Sequence, residues 1–234
     1  MKKIMPIFAL LLLLVNTSPL LAQTADEIIA KHIDARGGIE KIKSLQTLSM
    51  EITMTIQGMD IPIKIFGQHK KAFKVEMIVM DNMGYNLITD TKGWAFLPFQ
   101  GHTEPQEMKK EDVEAAQGQL DLQGALVDYK TKGSKAEYGN KETIDGKSCY
   151  VIKLTKANGQ VATFYLDDKY YIYKKTETVK INGEDVQQTA IYHSYDKTPD
   201  GYVYASAWTS ANGGEMKVLK YEPNSKIDES VFKP

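Results

Sequence analysis

Five Asx-Gly pairs divide the C-terminal part of this chain into short segments. They are Asp145-Gly146, Asn158-Gly159, Asn182-Gly183, Asp200-Gly201 and Asn212-Gly213. Asn and Asp tolerate a positive φ and Gly adopts it freely, which is what a tight type I′ hairpin turn requires. The segments between the pairs are rich in Tyr, Val, Ile and Thr, which suit a pleated surface. This part of the chain is therefore predicted to form an antiparallel meander, with strands over 135–144, 147–156, 160–167, 170–182, 185–196, 202–211 and 215–222.

The N-terminal part of the chain predicts further strands. From Leu48 to Ile56 apolar residues alternate strictly with polar ones, the period-two pattern of a half-buried strand. We expect more strands over 61–68, 72–80, 85–91 and 94–99, with turns at Met83-Gly84 and Lys92-Gly93. Pro62 lacks the N–H of a sheet ladder, which favours an edge or a bulge for its strand. A sheet this long must be closed, stacked or covered.

Two helical segments are available to cover the sheet. The first begins with a capping box of Thr24 and Glu27, carries Arg36 in its last turn and ends at Gly37-Gly38. The second spans 109–129, where Val113, Ala116 and Leu120 share one face. Gly118 and Gly124 each weaken this second helix by about 1 kcal/mol relative to Ala. One kinked helix and two short helices are both compatible with the pattern.

The N-terminus has the features of a secretory signal peptide. Lys2 and Lys3 precede an unbroken apolar run over 7–15, which is too short to span a bilayer, and Ala22 offers a small residue for cleavage. We expect residues 1–22 to be removed and 23–234 to form a single periplasmic domain. The chain has 29 basic and 30 acidic residues, and losing the two lysines leaves a formal charge of −3. This weak charge gives no support for nucleic acid as a partner.

The residues that carry chemistry predict neither an enzyme nor a metal site. No two of the four histidines have metal-ligand spacing, and His32, on the apolar side of the first helix, is interpreted as a buried, hydrogen-bonded residue. Cys149 lies in a predicted strand, where a small buried hydrophobe is the favoured interpretation. The nucleophile and phosphate-loop motifs that would indicate catalysis do not occur. We therefore expect no catalytic residue, no metal ligand and no cofactor.

Apolar side chains give the clearest functional signal. Six methionines fall between positions 50 and 83, and methionine is common on surfaces that accept varied apolar partners. A bulky cluster follows over 94–99. The sheet presents more apolar area than two helical segments can cover, so the remainder forms either a second packed layer or a hollow. The residues predicted to line the hollow are Met50, Ile52, Met54, Phe73, Val75, Met77, Trp94, Phe96 and Leu120, with Gly118 and Gly124 as lid hinges.

The order of these elements resembles a known family. A capped helix ends in the segment 35–42 (ARGGIEKI), an alternating strand follows from Ser44-Leu45, a helical insertion interrupts the sheet, and the chain closes on 227–234 (IDESVFKP). Together they resemble the LolA-like periplasmic carriers of outer-membrane lipoproteins. The resemblance implies a mainly β, α+β fold: an open half-barrel of about eleven antiparallel strands with helices covering the concave face. The chain's sole arginine, Arg36, lies in the first helix, so a family arginine on a strand has no counterpart here.

The resemblance also implies a function. It indicates a carrier or chaperone that binds lipid or lipoprotein acyl chains in a hydrophobic hollow for outer-membrane sorting. The partners it suggests are an inner-membrane release complex and an outer-membrane acceptor. The alternative from another class is a non-enzymatic periplasmic sensor or scaffold that binds a protein partner along a sheet edge or the lid. An unrecognised hydrolase ranks third.

Overall fold

The computed structural model describes residues 23–181 and 184–234, so the predicted signal peptide and the Asn182-Gly183 pair lie outside the described residues. The α-helices are α1 (Ala25–Ala35), α2 (Ile39–Lys43) and α3 (Lys110–Ala116). Short 3₁₀ helices span Pro98–Gln100, Gln117–Leu120 and Glu229–Phe232. The strands are β1 (Thr47–Ile56), β2 (Met59–Gln68), β3 (Ala72–Val79), β4 (Asn82–Thr89), β5 (Gly93–Phe96), β6 (Gln106–Glu107), β7 (Lys135–Ile144), β8 (Lys147–Thr155), β9 (Val161–Leu166), β10 (Ile172–Ile181), β11 (Glu184–Lys197), β12 (Val203–Thr209) and β13 (Glu215–Pro223).

All thirteen strands belong to one open antiparallel sheet. Their order is β6-β5-β4-β3-β2-β1-β13-β12-β11-β10-β9-β8-β7. Two meanders therefore meet where the first strand pairs with the last, and β6 and β7 form the two free edges. The predicted open sheet with few helices is confirmed, with thirteen strands rather than about eleven.

One segment crosses the sheet because the chain must pass from one free edge to the other. We call residues 110–124 the lid; it comprises α3, the 3₁₀ turn Gln117–Leu120 and the turn that follows. A Cβ built on Gly93 of β5 would lie 3.1 Å from Val113 of α3, and one on Gly67 of β2 would lie 2.8 Å from Leu122. The lid thus packs directly on the sheet, on the face that we call the inner face.

The inner face can be followed across the strands by their register. Gly67 pairs with Leu48 of β1, so Met50, Ile52 and Met54 are also on this face. Met54 pairs with Met216 of β13, so Met216 also lies on the inner face. The pairs of the following strands extend this face in the same way. On the C-terminal side it carries Trp208, Tyr192, Gln188, Glu177 and Phe164. One continuous surface therefore lies beneath both the lid and α1.

The main core lies where α1 covers strands β8 and β9. Ile28 and Ile29 of α1 pack against Ile152, Leu154 and Phe164. Ile28, Ile152 and Leu154 have no exposed surface. The predicted capping box fixes the start of α1, because the Thr24 hydroxyl accepts from the Glu27 N–H and the Glu27 carboxylate accepts from the Thr24 N–H, each at 3.2 Å. Cys149 is fully buried, as its sequence context predicted.

The Asx-Gly pairs form hairpins of two kinds. Asp145-Gly146 has φ values of 50° and 78°, as a type I′ turn requires. At Gly159, Gly201 and Gly213 only the glycine has a positive φ. There the strands close three-residue loops, for example with the Lys156 N–H donating to the Gln160 carbonyl at 2.8 Å. Those three are type I turns followed by a glycine bulge, so the hairpin positions are confirmed and the predicted turn type is corrected.

Two glycine and proline predictions in the N-terminal meander were wrong. Met83-Gly84 lies inside β4, and the turn falls instead at Met80-Asp81, whose φ values are 49° and 62°. Gly84 is glycine because a Cβ there would lie 2.7 Å from the Phe99 ring. Pro62 lies on an interior strand rather than an edge. It is tolerated because the described pairing of β2 with β3 begins at Ile63.

Candidate ligand-binding cavity

A cavity of about 670 Å³ lies between the lid, α1 and the inner face of strands β9 to β11. This volume falls within the roughly 300–1,000 Å³ typical of small-molecule sites. The lid contributes Glu114, Gln117 and Gly118 to its lining. The helix α1 contributes His32 and Arg36. The sheet and its loops contribute the floor, which includes Lys156, Phe164, Ile172, Lys175, Glu177, Val179, Gln188 and Tyr192.

A second cavity, of about 950 Å³, adjoins the first around α3. Both are lined by Glu114, Ala115, Gln117, Asn158 and Gln160. Its remaining lining residues come from α3, from the β8–β9 hairpin and the start of β9, from β10 and from the start of β11. Residues of α3 therefore line both hollows.

Charged side chains on the cavity floor form a cluster in which two lysines share one carboxylate. Glu177 forms ion pairs with Lys156 and with Lys175, the latter at 2.5 Å. Burial raises the pKa of Glu177, but the two lysines outweigh that effect and hold its pKa below the usual value. Glu177 is thus ionised at neutral pH, and it holds both ammonium groups above the inner face.

Polar contacts fix the lid over the cavity. Lys132 donates to the Asp121 carboxylate at 2.5 Å and to the Gly124 carbonyl at 3.0 Å. The Arg36 guanidinium donates to the Gln123 carbonyl at 3.2 Å. The Gln117 side chain donates to the Thr89 carbonyl of β4 at 3.0 Å. Apolar contacts of Val113, Leu120 and Leu122 supplement these bonds, so both polar groups and apolar side chains hold the lid on the sheet.

His32 is a buried wall of the cavity rather than a charged group. It is 1% exposed, and its Nδ1 lies 2.8 Å from the Tyr170 carbonyl, to which it donates as the neutral tautomer. Burial and the nearby Arg36 lower the pKa of His32 to about 3. The interpretation of His32 as a buried, hydrogen-bonded residue is confirmed.

Six of the nine predicted lining residues come together on the inner face. Ile52 is 1% exposed, and the others are half-buried: Met50, Met54, Phe73, Val75 and Met77. The register aligns them in rows, with Met54 beside Ile61 and Met77 beside Ile63. They lie on the N-terminal half of the sheet, whereas the two cavities described above are lined from its C-terminal half.

The other predicted residues lie elsewhere. Trp94 pairs with Leu87 and Phe96 with Tyr85, on the outer face of the sheet. That face is also buried at this place, where the 3₁₀ helix Glu229–Phe232 contacts β3. Leu120 is buried within the lid.

The two predicted hinge glycines both line the 670 Å³ cavity. Gly124 adopts a φ of +97°, and a Cβ there would lie 3.1 Å from Arg36 Nη1. A Cβ on Gly118 would meet Lys156 Nζ at 3.8 Å. Both glycines therefore lie where the lid approaches a cationic side chain.

Sequence reasoning missed the charged side chains of this cavity. Lys156, Lys175 and Glu177 were assigned to strands without a role, and Arg36 was interpreted only as a favourable helix C-terminus. The available signal was the alternation of Lys175, Glu177 and Val179, which places two charges on the same face as an apolar residue.

Across 23–181 and 184–234, no group of three His, Cys, Asp or Glu side chains could hold a metal ion. In the same ranges no helix is long and apolar enough to cross a bilayer.

Comparisons with known proteins identify the fold. No family model and no curated protein matches the sequence. Among solved structures, a LolA superfamily protein from Nitrosomonas europaea matches with a TM-score of 0.57 and 14% identity, over 91% of this chain and 99% of that one.

Two further structures match over similar lengths. A putative outer membrane lipoprotein-sorting protein domain from Vibrio parahaemolyticus gives a TM-score of 0.55 and 14% identity, over 88% and 94%. A DUF1329 family protein from Desulfovibrio piger gives 0.59 and 11%, over 91% and 98%. The protein described here therefore has a LolA-like fold.

Proposed function

We propose that this protein is a non-enzymatic carrier that binds the acyl chains of a lipid or lipoprotein between its sheet and its lid. The observation that carries the proposal is one inner face with a methionine-rich half that continues into a cavity beneath a polar-anchored lid. The LolA-like fold supports it, as does the similarity to the structure of the putative outer membrane lipoprotein-sorting protein domain from Vibrio parahaemolyticus.

The energetics of an acyl chain suit such a surface. Each buried methylene contributes about 0.8 kcal/mol, so a sixteen-carbon chain represents on the order of 10 kcal/mol. Methionine side chains adapt to chains of different length and branching, because they are unbranched and polarisable. Affinity of this kind requires no specific polar group, which suits a carrier of varied cargo.

Release requires that the lid can open. Its bonds to Arg36, Lys132 and Thr89 are polar, and each contributes about 0.5–3 kcal/mol net. Opening exchanges these polar bonds for bonds to water, and it also exposes the buried side chains of Val113 and Leu120. We propose a periplasmic location, with donation from an inner-membrane release complex and delivery to an outer-membrane acceptor.

Two experiments test the carrier. Mass spectrometry of an organic extract of the purified protein should detect phospholipid, fatty acid or acylated peptide. Tryptophan quenching then locates the chain, because Trp208 is on the inner face and Trp94 on the outer face. In Trp94→Phe, a doxyl-labelled stearate should quench the remaining Trp208.

The reciprocal variant is the control. In Trp208→Phe the same doxyl-labelled stearate should leave Trp94 unquenched, since the sheet separates that indole from the inner face. Equal quenching of both tryptophans would indicate nonspecific adsorption, and no quenching of Trp208 would remove the inner face from the binding site.

A protein-binding sensor or scaffold is the second candidate. Its most direct route is strand addition at a free edge. The β6 edge has only two residues, and β7 is interrupted by a bulge between Tyr138 and Lys141. Short and bulged edges discourage added strands. A clean organic extract together with a stable protein complex in pull-downs would favour this candidate over the carrier.

A further inference from the structure

Arg36 differs from every other cation at the cavity. It is the sole arginine of the chain, it lies at the C-terminus of α1, and it lines the cavity half-buried. The one described hydrogen bond of its side chain runs from Nη1 to the Gln123 carbonyl. A guanidinium offers five N–H donors in a planar fork, so most of its donor capacity is not used by that bond.

The carboxylates of the cavity do not neutralise Arg36. Glu177 pairs with Lys156 and Lys175, Asp121 pairs with Lys132, and Glu114 pairs with Lys110 at 3.6 Å. Within the described ranges no carboxylate forms an ion pair with Arg36. The lining contains four basic and three acidic side chains. Lys156 and Lys175 share the single carboxylate of Glu177, whereas Arg36 is the lining cation for which the described residues provide no carboxylate partner.

The guanidinium faces the aromatic part of the inner face. Burial raises the pKa of Tyr192 and that of Tyr195, and the positive charge of Arg36 opposes both shifts. It acts in the same sense on Tyr221, whose pKa burial raises to about 12. Arg36 and Tyr192 line the same cavity. Strands β11 and β13, which carry the three tyrosines, lie between β10 and the methionine-bearing β1 in the sheet order.

An apolar track leads from this charge to the methionines. Tyr192 pairs with Trp208, Trp208 with Met216, and Met216 with Met54. These are three successive strand spacings, or about 14 Å along the sheet. A flexible hydrocarbon chain that starts beside Arg36 can follow these rungs with its far end on Met54.

We infer that Arg36 binds the anionic end of an amphiphile whose alkyl chain lies along the track from Tyr192 to Met54. The ligand class is an acyl chain that carries a carboxylate or a phosphate, which a guanidinium binds through paired N–H donors. This inference rests on the proposed function and sharpens it, because it selects charged amphiphiles over neutral ones. It also gives the lid a second contact, since a head group bound to Arg36 lies beside Gly124 and the Gln123 carbonyl.

The test compares a fluorescent fatty acid, cis-parinaric acid, with its methyl ester. The delipidated wild-type protein should bind the acid at least about tenfold more tightly than the ester, because a charge-assisted hydrogen bond contributes about 1.5–3 kcal/mol. Arg36→Gln should weaken the acid about tenfold and leave the ester within about twofold, while Arg36→Lys should retain part of the preference. Lys31→Gln, an exposed position on the same helix that does not line the cavity, should change neither affinity.

The outcomes separate the inference from the proposed function. If the wild type binds neither the acid nor the ester, both the proposed carrier function and the head-group role of Arg36 are overturned. If it binds acid and ester equally, or if Arg36→Gln weakens both alike, the carrier stands and the head-group role is overturned. Thermal unfolding of each variant verifies its fold, and equal binding of acid and ester by the wild type overturns the head-group role even if Arg36→Gln fails to fold. If inorganic phosphate alone at the same concentration displaces the acid, the site binds a free anion, and the inference of an amphiphile is overturned.

Discussion

The two halves of the inner face are built on the same sheet and differ in chemistry. On the N-terminal half, β1 to β3 present Met50, Met54 and Met77 among isoleucines, most of them half-buried. On the C-terminal half, β8 and β9 are sealed by α1, and β10 carries an ionised cluster around Glu177. The N-terminal half is thus lined by flexible side chains and is incompletely covered, whereas the C-terminal half is covered by α1 and carries ion pairs.

This difference indicates which half of the inner face contributes mainly to ligand binding and which contributes mainly to the stability of the fold. Buried side chains of α1, β8 and β9 form the α1 core, and a close-packed interior leaves little room for rearrangement. The methionine side chains on the N-terminal half are flexible, so they can remain half-exposed without a ligand and can change conformation when an apolar ligand binds. A ligand with an apolar chain and a charged end matches both halves at once.

The strongest way to break this comparison is to truncate matched residues in the two halves. Ile152 is completely buried against α1, and Ile152→Ala should lower the free energy of unfolding by about 2–5 kcal/mol. Met54→Ala removes a half-buried side chain and should cost about 1 kcal/mol or less while weakening an acyl probe. Urea unfolding of both variants measures the contrast, and equal losses would mean that the methionine half is an ordinary core.

Much of this contrast could be predicted from the sequence. The strict alternation from Leu48 to Ile56 identified β1, and the Asx-Gly pairs located four described hairpins. Which face Trp94 and Phe96 occupy could not be predicted, because both faces are buried at β4 and β5 and alternation then loses its meaning. The 3₁₀ helix Glu229–Phe232, which contacts the neighbouring strand β3, is more than a hundred residues distant from them in the chain.

The charged cavity was beyond local patterns for a different reason. Lys175 and Glu177 are on β10, Lys156 reaches them from the β8–β9 hairpin, and Arg36 comes from the end of α1. Each looks like a solvated residue within its own segment. Only the crossing of the lid between the sheet's two free edges encloses them, and that crossing is a property of the whole topology.

Gly84→Ala sharpens the comparison by testing packing against turn chemistry. Its added Cβ would lie 2.7 Å from the Phe99 ring and 2.9 Å from the Phe96 carbonyl, so we expect a loss of about 1–3 kcal/mol. The matched control is Gly146→Ala, which meets open space at a φ of +78° and should cost only the left-handed backbone term, about 1 kcal/mol. Chemical unfolding distinguishes the two, and a smaller loss at Gly84 would contradict the packing explanation.

Glu177→Gln tests the electrostatic order of the C-terminal half. The substitution leaves Lys156 and Lys175 without a carboxylate between them, and the expected loss is about 1–3 kcal/mol at neutral pH. The folded-state pKa of Glu177 lies below its unfolded value. Its contribution is therefore present above the ordinary Glu pKa and is lost as the pH falls through the lowered one.

The pH dependence gives this prediction its control. Unfolding measured from pH 7 down to pH 3 should show the wild type and Glu177→Gln converging, since protonation removes the same charge. Lys110→Ala, which disrupts an exposed i,i+4 pair on the lid, should shift stability by no more than about 0.5 kcal/mol at any pH. A constant gap between wild type and Glu177→Gln across this range would assign the loss to packing rather than to charge.

The smallest expected effect concerns the hairpin tips of the methionine half. Met80 is 80% exposed at a φ of +49°, a conformation that Asn adopts more readily than Met. Met80→Asn should therefore stabilise the protein by about 0.5 kcal/mol. Met59→Asn, at a half-exposed strand position, should be neutral or slightly destabilising, because Asn is a poor strand former. If urea unfolding shows a gain in stability at position 80 alone, Met80 is not required for the stability of the fold. A loss of stability there would show that Met80 supports the β3–β4 turn.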